Sequence, residues 1–422
     1  MMNKNPEPGN SYDHDGFSPP GPIWVCEDCF DYLCNQFSMT PLWGMMAADV
    51  EKTLLIRGYV CQNGTVELEP LYVLQDVPES SPEPGNCSIR LVDNNGTILS
   101  ETPFAISYEL VIDPVGTFET DVAPFAFSLP WQENTSNIQI LLNGSTAYER
   151  PVTSNIPSVQ VTYPDGGENL IAGENCTISW NASDLDGDDL LYTVLYSADG
   201  GVNWNPLIID LNETSYVWDT SHLQKGTDYL LRLIATDGVN TGEDVSNSTF
   251  TVKVHDIEAT GNAPSKTVIG QGYALSVNAT LTNEGDFTET FNATLCANTT
   301  AIASQALTLT SGNSTTITFT WNTTGFAKGN YIISAHVEPV EGETDIGDNN
   351  CTGGLVVVTW LGDLNGDFVV DEDDLWHFCG AFIDYYKIHV LDPNCDYNDD
   401  CHIDEDDLWC FCGAFIEYWK LH

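Results

Sequence analysis

The sequence predicts a mostly β chain: a tandem array of about three antiparallel β-sandwiches followed by a small α-helical domain with two cation loops. Three observations predict it. From about Leu54 onward, short runs that alternate or stay apolar are separated by Asn-Gly, Asn-Asn-Gly and Pro-Gly turns, as sandwich strands are. The 422 residues accommodate about three or four domains at ~100–200 residues each. The segment from Asp371 recurs from Asp404 with fifteen of nineteen positions identical, so one structural unit is used twice.

Composition narrows the function classes. Sixty-two acidic side chains against twelve basic ones give a net charge of −50, while the 42% apolar fraction suffices for packed cores. Nucleic acid is excluded as a partner, because its counterions are displaced by Lys and Arg, and an anionic membrane surface is disfavoured likewise. A cationic partner, above all a divalent metal, is favoured. An excess of acid is equally expected of a chain from a saline habitat. No apolar run approaches the ~20 residues that span a bilayer. The N-terminus is polar and is no signal peptide. Fifteen Asn-x-Ser/Thr sequons, where chance gives about five, and thirteen cysteines nevertheless point to an extracellular or cell-surface protein. The expectation is that a leader, and with it upstream sequence, is missing.

Residues 1–22 lack periodicity and read as a flexible lead-in to a Cys-containing segment that closes at 48. Its Cys26, Cys29 and Cys34 suit a disulfide or free thiols better than zinc, since only His14 stands near as a fourth ligand. A first sandwich is expected over 49–155, from LLIRGYV through IQILLNG. A second, over 156–254, runs from VQVTYP to STFTVKV. With Trp180 in an early strand and Tyr229 leading YLLRLIATDG, it resembles a fibronectin type III or immunoglobulin-like domain. A third, over 255–358, holds HDIEATG, NATLTNEGDFTETFNATL, TTITFTW and GNYIISAHVEP. It resembles the cell-adhesion-related (CARDB) β-sandwich of secreted bacterial and archaeal proteins. Cys61 with Cys87 and Cys296 with Cys351 are expected as staples within sandwiches, Cys395 and Cys401 flank the second cation loop, and Cys379 with Cys412 stand where a bridge would join two helices.

The final unit, 359–422, carries the chemistry. Two acidic loops, DLNGDFVVDEDD (363–374) and DYNDDCHIDEDD (396–407), place side-chain oxygens at loop positions 1, 3, 5, 9 and 12. These are Asp363, Asn365, Asp367, Asp371 and Asp374, then Asp396, Asn398, Asp400, Asp404 and Asp407. Position 7, Val369 or His402, supplies a backbone carbonyl. Six or seven hard oxygens turned inward by alternate spacing are what Ca²⁺ accepts, so two calcium ions are expected. At position 8, Val370 and Ile403 would pair the loops through a short β-bridge. Each loop leads into a helix with one apolar face, Leu375, Phe378, Cys379, Phe382, Ile383 and Tyr386 in the first and their repeat mates in the second.

Paired loop–helix units of this kind resemble a dockerin, the module that inserts into a cohesin. The resemblance implies a cohesin-like or cell-surface partner; the runner-up is an intramolecular or homotypic clasp, with Trp376 and Trp409 as candidate contact residues or plain core filling. One departure stands out: the turn position that usually holds Gly is Phe368 in one loop and Cys401 in the other. Position 12 is Asp rather than Glu, as in dockerins. Asp184, Asp186 and Asp188 form a weaker candidate calcium site, read more readily as an acidic turn bent at Gly187.

No zincin, nucleophile-elbow, dinucleotide or P-loop motif occurs. The reading is a non-catalytic extracellular modular protein that docks through calcium, with sandwiches as spacer or adhesion modules that could also take a polysaccharide or protein ligand. The alternatives are the non-catalytic tail of a secreted protease or polysaccharide-degrading enzyme, and a surface-layer or adhesin component.

Overall fold

The computed structural model describes residues 52–75, 79–112 and 116–421. Cys26, Cys29, Cys34 and His14 lie outside them. The chain is mostly β, with twenty-seven strands among the described residues and two helices at the C-terminus.

The first sandwich is built from β1 (Lys52–Cys61), β2 (Val66–Leu68), β3 (Tyr72–Gln75), β4 (Cys87–Val92), β5 (Ile98–Phe104), β6 (Glu109–Ile112), β7 (Gly116–Glu119), β8 (Val122–Pro130), β9 (Asn137–Leu142) and β10 (Ser145–Pro151). One sheet centres on β1, which pairs with β2, β3 and β8, and the other runs β10-β9-β4-β5. Between them lie Leu54, Ile56, Ile89, Leu91, Phe104, Ile138 and Ile140, all essentially buried. β6 and β7 form a separate hairpin.

The second sandwich comprises β11 (Ser158–Tyr163), β12 (Asn169–Ile171), β13 (Asn175–Ser183), β14 (Leu191–Ser197), β15 (Asn205–Leu211), β16 (Ser215–Asp219), β17 (Gly226–Thr236), β18 (Thr241–Val245) and β19 (Phe250–Lys253). The third comprises β20 (Ile257–Pro264), β21 (Val268–Gly270), β22 (Ala274–Asn283), β23 (Glu289–Ala297), β24 (Thr300–Leu309), β25 (Ser314–Asn322), β26 (Gly329–Val337) and β27 (Asn350–Thr359).

These two share one topology apart from β18, which pairs with β17 and has no counterpart in the third sandwich. Sheet β11-β13-β16 corresponds to β20-β22-β25, and β12-β19-β17-β14-β15 to β21-β27-β26-β23-β24. In each, the chain leaves the first sheet and adds a three-residue strand parallel to the last one, β12 on β19 and β21 on β27. The period-2 alternation that predicted the strands is plain in β22, where every second residue from Leu275 to Asn283 points away from water. The Tyr229 hydroxyl donates to the Gln224 carbonyl at 2.7 Å, the corner predicted from sequence. Tyr331 repeats it in the third sandwich, donating to the Ala327 carbonyl at 2.8 Å.

The sandwiches are not loosely strung. The first two share a core in which Leu55, Tyr72 and Leu74 pack with Leu195, Trp204 and Ile234. Arg57 pairs with Asp210 across this junction, and Tyr72 donates to the same carboxylate. Main chain joins them too, through Leu71 N–H to Gly238 O at 3.1 Å.

Two expectations are corrected. The ten described cysteines are free thiols. For Cys296 and Cys351 the reason is geometric: β26 lies between their strands, Ser334 facing Cys296 and Ala335 facing Cys351. Two ladder spacings, about 10 Å, exceed the ~7 Å a disulfide tolerates. The expected β-bridge between the cation loops is likewise absent among the described residues. Val370 and Ile403 are instead fully buried core.

Candidate metal centre

β27 ends at Thr359, and one turn later the chain enters the first loop, which feeds α1 (Glu372–Ile388); the second loop feeds α2 (Glu405–Leu421). Asp371 caps α1, with Asp374 closing the capping box by accepting the Asp371 N–H at 3.0 Å. In the second copy Asp407 accepts the Asp404 N–H at the same distance. Phe378 and Phe411 stack at 5.1 Å between the helices and anchor a core with Leu364, Ala381, Cys395 and Ile403. The predicted apolar helix face is buried only in part. Leu375, Ile383 and Tyr386 lie exposed, as do Leu408, Ile416 and Trp419.

The two loops hold their oxygens alike. At position 1, Asp363 accepts the Phe368 N–H at 2.8 Å, and Asp396 accepts the Cys401 N–H at 2.9 Å. At position 12, Asp374 accepts the Leu364 N–H and Asp407 the Tyr397 N–H, both at 2.7 Å. Positions 3 and 5 brace the curl, Asn365 and Asn398 accepting from positions 5, and Asp367 and Asp400 from positions 7. Asp371 and Asp404 at position 9 accept helix N–H groups. Val369 and His402 at position 7 point their side chains to water. Phe368 and Cys401 take φ of +71° and +65°, so the bend expected of Gly is made in the left-handed region by residues that carry a Cβ.

Asp363, Asp374, Asp396 and Asp407 are all buried. Burial pushes the Asp374 carboxyl above its ordinary range against three backbone N–H donors, and the Asp363 charge adds to the effect. Burial also raises Asp396, with Asp407 contributing. The donors are oxygens throughout, the set a hard divalent cation takes.

Trp376 and Trp409, repeat-equivalent, are 72% and 75% exposed and not core. Asp184, Asp186 and Asp188 do converge, one carboxylate oxygen of each lying within 4.8 Å of the others. Asp184 accepts the N–H groups of Asp186 and Gly187, and Asp186 accepts from Asn155.

Sequence reasoning missed what seats the module. Lys266 of the third sandwich is buried, donates to the Asp396 carbonyl and pairs with Asp399 at 2.7 Å. Asn394 accepts the N–H groups of Thr267 and Val268 at 3.0 and 3.1 Å. One cation among so few had no pattern to mark it.

Among curated proteins none matches this chain. The CARDB domain of the PF1109 protein of Pyrococcus furiosus, solved with di-metal ions, is 21% identical over 25% of this chain and 93% of that one, with a TM-score of 0.22. A domain of a Methanosarcina acetivorans cell surface protein is 26% identical over 25% of this chain and 91% of its own, with a TM-score of 0.21. The fibronectin(III)-like modules of Clostridium thermocellum CbhA are 17% identical over 48% and 94%, with a TM-score of 0.18. The third sandwich, over residues 256–352, matches the CARDB family model.

Proposed function

We propose that this chain is a non-catalytic, extracellular modular protein whose C-terminal module binds two calcium ions and docks to a cohesin-like or other surface partner. One observation carries the reading: two loops with closely matching hydrogen bonds each bury a pair of carboxylates, and among the described residues no side-chain cation forms an ion pair with any of the four, Lys266 reaching Asp396 only at its carbonyl while its charge offsets part of the Asp396 burial. Buried carboxylates cost several kcal/mol unless compensated, and an ion in each loop would make metal binding part of the folding energy. Trp376 and Trp409, outward at equivalent places, are the contact residues of this reading. Calorimetry on the full chain is expected to give two calcium ions, one lost in Asp374→Asn and the other in Asp407→Asn. Helix content unchanged by chelation together with no heat of binding would overturn it. Trp376→Ala with Trp409→Ala should keep both ions and lose the partner in a calcium-dependent pull-down.

The sequons support passage outside the cell. All fifteen sequon asparagines are exposed, against seven of the fourteen other described asparagines, and none lies beyond Asn350. In this reading glycans cover the sandwiches and leave the docking module bare. Glycopeptide mass spectrometry checks it.

A further inference from the structure

We propose a second kind of metal site, separate from the calcium loops, in which His377, Asp392 and Cys395 hold a Zn²⁺ ion. One ligand atom from each of these residues lies within 4.8 Å of the other two. The His377 Nε2 is 2.8 Å from the Asp392 Oδ2. Cys395 closes the group from the protein side and is fully buried. Imidazole, carboxylate and thiolate are the three ligand types zinc takes, and three protein ligands with one open position is a coordination it commonly adopts. The open position would face solvent, since His377 and Asp392 keep about a third of their side-chain surface exposed (34% and 29%).

The repeat supplies an internal comparison. Between the two nineteen-residue copies four positions differ. Three are conservative: Asp384 with Glu417, Tyr386 with Trp419, and Ile388 with Leu421. The one change of chemistry is His377 with Cys410. The other two members differ as well, because Asp392 and Cys395 correspond to Thr359 and Gly362 one repeat earlier. Asp392 and Cys395 lie outside the copied residues, in a stretch where 391–395 shares no residue with 358–362, so the one departure within the copied pattern is His377, and the other half has no such set.

The surroundings suit a clip. Asp392 Oδ1 accepts the Asn394 N–H at 3.0 Å, which fixes the carboxylate and leaves Oδ2 facing the imidazole. On binding, the Cys395 thiol gives its proton to solvent and the imidazole presents an unprotonated Nε2, keeping its remaining proton on Nδ1. The ion would tie the linker between the loop–helix units to the N-terminal half of α1. Because Cys395 directly precedes Asp396, the clip would fix the start of the second loop. A cysteine nucleophile is the poorer reading, because a fully buried thiol offers a substrate no approach.

The test uses the full chain in saturating calcium and a phosphine reductant, with Cys26, Cys29 and Cys34 changed to Ser so that they cannot bind metal. Co²⁺ reports the site by its thiolate charge-transfer band. One equivalent of Co²⁺, displaced by Zn²⁺, is expected to give the band. His377→Gln and Asp392→Asn should each weaken binding by about tenfold or more, and Cys395→Ser should abolish the band. His377 and Asp392 are partly exposed, so their variants decide the matter if the Cys395 variant fails to fold. No band in the parent, or the same affinity in both surface variants, overturns the proposal.

Discussion

Left-handed backbone at a residue with a Cβ costs about 1–2 kcal/mol. Cys401, exposed at φ +65°, bears that cost with no packing in return. Cys401→Gly is therefore expected to stabilise the C-terminal module by about 0.5–1 kcal/mol, after the greater unfolded-state freedom of Gly is subtracted. Thermal unfolding followed by helical circular dichroism measures it. Phe368→Gly should gain less, because Phe368 is only partly exposed and its ring loses contacts. A second residue sets a pH dependence. Burial, with Asp348 and Glu343 next in weight, pushes the Asp256 carboxyl up to about 7. Its folded pKa then lies above the unfolded one, so the native state holds the proton longer and stability falls as pH rises from about 4 to 7. Asp256→Asn should raise the melting temperature of the third sandwich at pH 8 and change it little at pH 4, by calorimetry at both.

At the scale of elements, the strands were legible because alternation and turn residues both mark them, as in β22 and the Asn-Gly turn after Asn63. The loops were legible as a repeat. Less readable was which part of each helix is covered. Six apolar residues per helix at the right spacing describe a face, but a pair of helices packed through Phe378 and Phe411 buries only its middle. Phe411→Ala removes one ring of that stack, at about 3–5 kcal/mol. In so small a core that loss should abolish the helical signal of the module while the sandwiches persist. Lys266 was illegible, being one lysine in an acidic chain. Lys266→Met leaves Asp399 unpaired and the Asp396 carbonyl without its donor, about 1–3 kcal/mol. Calorimetry should then show the module melting apart from the third sandwich.

For the whole molecule, local patterns described each sandwich but not their junction. Leu55 and Trp204 read as ordinary strand and loop residues, and only the structure puts them in one cluster. Arg57→Ala strands Asp210 in that junction at about 3 kcal/mol, so the first two sandwiches should lose their common transition on heating. The parallel strand pairs have a mechanical consequence. β27 leads straight into the C-terminal module, and β21 follows the entry strand of the same sandwich. If the module is held and the rest of the chain is pulled, tension enters through β20 and leaves through β27, and once β20 is drawn off β22 it passes directly between β21 and β27. The ladder of Val268 with Val357, Ile269 with Val358 and Gly270 with Thr359 is then loaded in shear, all its bonds at once rather than one by one. β12 on β19 meets the same load one sandwich earlier. A chain built this way resists stretching at each of these two sandwiches, with a grip set by three residue pairs.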